Sequence, residues 1–98
     1  MISVQEEHLD MLKCILNSYV PNCEVRAFGS RVKGTSRKYS DLDLAIVGKS
    51  KLDSRSLCKL KNALMESRLP FRVDVLDYNA VSENFREAIN SKYEVIYW

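Results

Sequence analysis

The residues best suited to chemistry lie between Gly29 and Ile46, in the stretch GSRVKGTSRKYSDLDLAI. Asp41 and Asp43 alternate there with Leu42, Leu44 and Ile46, a strand pattern that projects both carboxylates from one face. Two such acids side by side raise each other's proton affinity unless positive charge sits between them. Paired hard oxygens suit Mg²⁺, which takes one or two carboxylates together with waters and substrate phosphates. Upstream, Gly29-Ser30 reads as a turn opening a short helix: glycine lets the backbone come close, and N–H groups at a helix start point at an anion. The ten residues between the turn and Asp41 include Arg31, Lys33, Arg37 and Lys38, placed to meet phosphate charge. Asp74 is a further acid in a mostly apolar strand, where it is costly without ionic partners. Opposite the aspartate pair it would complete a two-metal site.

These residues need a frame, and the sequence predicts one. Ser3 and Glu6 have capping-box spacing, and Leu9, Leu12, Ile15 and Leu16 give an amphipathic helix ending before Pro21. His8 reads as an exposed residue of that helix. Glu24 to Phe28 is a strand that delivers the chain to the Gly29 turn; Ser30 to Lys33 is a short helix broken by Gly34-Thr35-Ser36; Leu42 to Val47 is the strand carrying the acids. Asp53 or Ser54 caps a helix with Leu57, Leu60 and Leu64 inward and Arg55, Lys59, Lys61 and Arg68 outside. Phe71 to Leu76 is the strand of Asp74, expected beside the Leu42 to Val47 strand. Asp77-Tyr78-Asn79 reads as a turn, Ser82 caps a last helix with Phe85, Ala88 and Ile89 inward, and Tyr93 to Trp98 is a strand or tail. Alternating element types predict an α/β (α+β) domain with helices packed on a mixed sheet.

At 98 residues the chain is one domain, 1–98, with a feasible two-layer core. A net charge of +2 does not support direct nucleic-acid binding. Cys14, Cys23 and Cys58 have no CxxC spacing and His8 is the sole histidine, so neither a disulfide framework nor a zinc site is offered. Glu6, Glu7 and Asp10 interrupt what a signal peptide would need, and no run reaches membrane-spanning length. A cytoplasmic protein without membrane contact is expected.

The Gly-Ser turn, spacer and aspartate pair resemble the signature of the DNA polymerase β-type nucleotidyltransferase superfamily. The segments FGSRVKG, SDLDLAI, RVDVLDYN and FREAI are similar to its minimal members, the MNT antitoxins paired with HEPN-domain toxins. The resemblance implies a nucleotidyltransferase-type sheet. By position it implies triphosphate contacts from Gly29 and Ser30 with Arg31 beside them. It also implies that Asp41, Asp43 and Asp74 are the catalytic ligands of two Mg²⁺ ions, with Asp74 nearest the acceptor hydroxyl. It further implies ATP as donor and AMP transfer to a tyrosine of a HEPN toxin. The chain runs only about two elements past Asp74, so the acceptor is expected to bring its own surface.

Two other readings compete. One is a binding-only antitoxin that occludes its partner; the other is a nucleotidyltransferase acting on a small molecule such as an antibiotic, which the short chain disfavours. The terminal Tyr93, Val95, Ile96, Tyr97 and Trp98 read as an edge strand burying alternate residues, or as a partner or homo-oligomer surface.

Overall fold

The computed structural model describes residues 4–33 and 41–97. Its elements are α1 (Glu6–Tyr19), β1 (Glu24–Phe28), α2 (Ser30–Lys33), β2 (Leu42–Val47), α3 (Ser54–Met65), β3 (Val73–Asp77), α4 (Glu83–Ser91) and β4 (Glu94–Tyr97). This is the expected order of types. The strands form one sheet in the order β3-β2-β1-β4. β1 runs antiparallel to both neighbours, whereas β2 and β3 are parallel. A parallel pair needs a crossover, and α3 supplies it.

The core lies on one face. Leu12 and Leu16 of α1 and Leu60 and Leu64 of α3 pack on Val25, Ala27, Leu42, Leu44, Ile46, Val75 and Ile96. Each fully buried leucine contributes about 1.5–3 kcal/mol by leaving water, and the leucine spacing of both helices is what presents them together. α4 takes the opposite face: Arg26 of β1 donates to Asn90 Oδ1 at 2.7 Å, and the Phe28 and Phe85 rings meet edge-on at 6.2 Å.

Several local expectations are corrected. α1 begins at Glu6 with Gln5 at the cap position and no side-chain cap bond. The proposed cap Ser3, the Gly34-Thr35-Ser36 break, Arg37, Lys38 and Trp98 lie outside the described residues. Asp53 occupies the cap position of α3 without a side-chain bond, while Ser82 Oγ does accept from Phe85 N–H at 3.2 Å. Of the three residues expected inward on α4, Ile89 is buried, Phe85 faces the sheet against Phe28 but stays partly exposed, and Ala88 is exposed. His8 is half-buried, edge-on to Phe71 with ring centroids 6.1 Å apart. β3 starts at Val73 and includes Asp77, which is buried rather than part of an open turn. The Asp77 carboxylate accepts from Leu52 N–H at 2.7 Å and from Asn79 N–H at 3.0 Å, tying the β2–α3 connector to the end of β3. β4 is an edge strand with Ile96 buried and Val95 exposed, as its alternation predicts.

Candidate active site

β2 and β3 bring the acids together through register. Leu42 is opposite Val73 and Asp43 opposite Asp74, so the two carboxylates stand side by side on the face away from the core. Asp41 precedes β2 by one residue and is exposed. On the other side of Asp43 its antiparallel partner is Phe28, the residue before the glycine turn.

Gly29 adopts φ +83°, a left-handed conformation suited to glycine. A Cβ at Gly29 would run into Asp43 Oδ2 and stand 3.3 Å from Asp43 Cγ. The turn and the acid strand are therefore in contact, although eleven residues, 31–41, separate Ser30 from β2 in sequence. Val32 N–H donates to Gly29 O at 3.1 Å and closes the single turn of α2. Ser30 is the first residue of α2, as expected.

Arg31 is buried, and its guanidinium lies 4.3 Å from the Phe71 ring centroid. With His8 edge-on to that ring, α1, α2 and the approach to β3 are braced on one aromatic side chain. The sequence reading assigned Arg31 to phosphate and did not foresee its seat on Phe71. Arg72 was not singled out for the site, yet its Nε lies 3.1 Å from Asp74 Oδ1. The signal was available as a base and an acid two apart on one strand face.

The acids are electrostatically strained. Burial first, then the charges of Asp74 and Asp41, push the Asp43 carboxyl above its ordinary pKa. Hard oxygen donors, their common face and this mutual repulsion fit divalent cations in kind. Among the described residues no three His, Cys, Asp or Glu side chains close on a single ion position, and Asp74 is turned toward Arg72. No helix of the described residues is long and apolar enough to cross a membrane.

Known proteins resemble this arrangement over nearly the whole chain. The polymerase beta nucleotidyltransferase family matches residues 11–98. The chain is 50% identical over 95 residues to a probable protein adenylyltransferase MntA of Haemophilus influenzae, covering 97% of this chain and 83% of that protein. A crystal structure of a toxin–antitoxin with AMP-PNP superposes with a TM-score of 0.76 at 22% identity, over 95% of this chain and 73% of the other. A tri-AMPylated Shewanella oneidensis HEPN toxin in complex with MNT antitoxin gives a TM-score of 0.72 at 20% identity, over 96% and 72%. At those identities the structures establish likeness of fold, and the sequence match establishes kinship: this chain belongs to the polymerase β nucleotidyltransferase family.

Proposed function

We propose that residues 1–98 form one minimal nucleotidyltransferase domain that transfers AMP from ATP to a hydroxyl, a tyrosine in the leading form of the proposal, on a HEPN-domain toxin and thereby silences it. The observation that carries this reading is the contact of the Gly29 turn with Asp43, which itself stands in register with Asp74. A phosphate-binding turn touching paired acids is what phosphoryl transfer needs, since that chemistry rests on positioning and charge neutralisation and requires no covalent enzyme intermediate. Kinship with the MntA adenylyltransferase supports AMP as the transferred group.

In this reading the backbone of Gly29 and Ser30 receives the triphosphate, with the buried charge of Arg31 adding positive potential to the turn. Asp41, Asp43 and Asp74 would hold two Mg²⁺ ions, and these would supply charge that lowers the acceptor's pKa and offsets the triphosphate. The acceptor oxygen bonds to the α-phosphorus as the bond from that phosphorus to the α–β bridging oxygen breaks. Pyrophosphate leaves, and Asp74 takes the hydroxyl proton. The cytoplasm, where ATP and a ribonuclease toxin both reside, is the proposed compartment.

Asp41→Asn with Asp43→Asn is expected to abolish AMP incorporation into the toxin and, with it, protection of cells that co-express the toxin. Intact protection by the doubly substituted protein would replace the enzymatic account with neutralisation by binding alone.

A further inference from the structure

Two aromatic rings stand beside the Gly29 turn, and phosphate and metal binding leave both unused. Phe28 is the last residue of β1, next to Gly29 in sequence and opposite Asp43 in the antiparallel register. Side chains alternate along a strand, so Phe28 shares the open face with Arg26, away from the buried Val25 and Ala27. Phe85 comes from α4 and meets Phe28 with ring centroids 6.2 Å apart and ring planes at 89°. Perpendicular rings at that distance form a corner, and Phe85 is still 43% exposed.

Phe85 is not what holds α4 in place. Arg86 Nε donates to Tyr78 O at 2.9 Å and Arg86 Nη2 to Asn79 O at 3.1 Å. Asn90 donates from Nδ2 to Tyr78 Oη at 2.7 Å and accepts from Arg26 at 2.7 Å. The Arg26 guanidinium lies over both Tyr78 and Tyr93, 5.3 and 4.6 Å from the ring centroids. These bonds, with the buried Ile89, fix the helix on the sheet. They carry the Phe85 ring to the Phe28 end of β1 and leave it half in water.

We propose that this corner is the base subsite of the nucleotide site: the purine stacks on Phe85 and packs against Phe28 while the triphosphate lies on the Gly29 turn. The proposal rests on the adenylyltransferase reading. Register sets Phe28, Asp43 and Asp74 in one row across three strands. In-line attack from the Asp74 side sends pyrophosphate toward Gly29, so the nucleoside must leave the α-phosphorus to one side of that line. Among the described elements α4 is the helix that stands on this face. Aromatic rings suit a flat base, and stacking tolerates base identity because every base has a π-face. The corner therefore favours a nucleoside triphosphate over bare phosphates and separates ATP from GTP little. Two rings are far smaller than the area of a stable protein interface, which makes a protein surface the weaker occupant.

The test is calorimetry of Mg-ATP and of Mg-tripolyphosphate on the wild type, Phe85→Ala and Phe85→Trp, with circular dichroism to check folding. Phe85→Ala is expected to weaken Mg-ATP about tenfold and to leave Mg-tripolyphosphate unchanged. Phe85→Trp should keep the Mg-ATP affinity, and its added fluorescence should be quenched by Mg-ATP beyond any change in the wild type. In the wild type, transferred NOEs should link phenylalanine ring protons to adenine H2 or H8, a readout that stands even where Phe85→Ala fails to fold. Mg-ATP affinity indifferent to Phe85→Ala, equal losses for both ligands, or absent NOEs would each overturn the assignment. Loss of affinity for the HEPN-domain partner with Mg-ATP binding intact would overturn it in favour of a protein contact. Binding is read without turnover: a wild type that stacks ATP on Phe85 but transfers no AMP contradicts the adenylyltransferase reading alone, and one that binds neither ligand contradicts both.

Discussion

Gly29 and Asp43 form one unit. A side chain at position 29 meets two obstacles, the φ of +83° and the Asp43 carboxylate lying over Cα. Gly29→Ala is therefore expected to cost about 1–3 kcal/mol and to displace Asp43, so a chemical-denaturation midpoint and AMP transfer should fall together. Asp43 is expected to cost the protein stability near pH 7 when no cation is bound. Its folded pKa is raised by burial and by Asp74 and Asp41, so the stability it contributes is fully present below the ordinary carboxylate pKa and is lost as pH rises through the raised value. With EDTA present, Asp43→Asn should raise the urea midpoint above that of wild type near pH 7. The gap should close as pH falls to about 3.5, a comparison that two unfolding curves per protein can make. The placement of both residues was legible in the sequence, as a Gly-Ser turn and an alternating acid strand. Their contact was not, because it depends on how β1 and β2 pair, and pairing is a property of two segments rather than of either one.

Among the elements, those with strong periodicity were placed well by sequence alone. The leucines of α1 and α3 and the alternation of β2 identify their buried faces, since burial of an apolar stripe decides them. Weak or mixed signals misled. Ala88 was expected inward on α4 and is exposed, while Phe85 meets the Phe28 ring and stays partly exposed. Asp77 has the composition of a turn residue, but its carboxylate is buried and bonded to Leu52 N–H and Asn79 N–H. Such a partner set is non-local and leaves no pattern in the chain. Nearby, Asn79 Nδ2 donates to Gly48 O at 2.9 Å and Ser50 O at 3.1 Å, so both residues pin the connector between β2 and α3. Asp77→Ala should strand buried donors and lower stability by about 1.5–3 kcal/mol, measured by urea unfolding. Mg-ATP affinity should change little, because this clasp is at the end of β2 and β3 opposite the acids.

At the scale of the molecule, the sheet divides labour between its faces. One face is closed by α1 and α3. The other is braced by α4 at Arg26 and Phe28 and leaves the acids at its open end, with Asp41 exposed and the Asp74 side chain 44% exposed. An open site favours hydrolysis by water unless an acceptor surface excludes it, which agrees with an acceptor that is itself a folded protein. The resemblance to minimal nucleotidyltransferases, first carried by FGSRVKG and SDLDLAI, thus meets a structure in which Asp41 is exposed and Asp43 and Asp74 are partly so. The most direct measurement is intact-mass spectrometry of the HEPN-domain partner after incubation with this protein and Mg-ATP. The account predicts a mass increase of one or more AMP units on the partner, absent when EDTA replaces Mg²⁺; an unmodified partner under conditions where the two proteins form a complex and ATP is bound would contradict it.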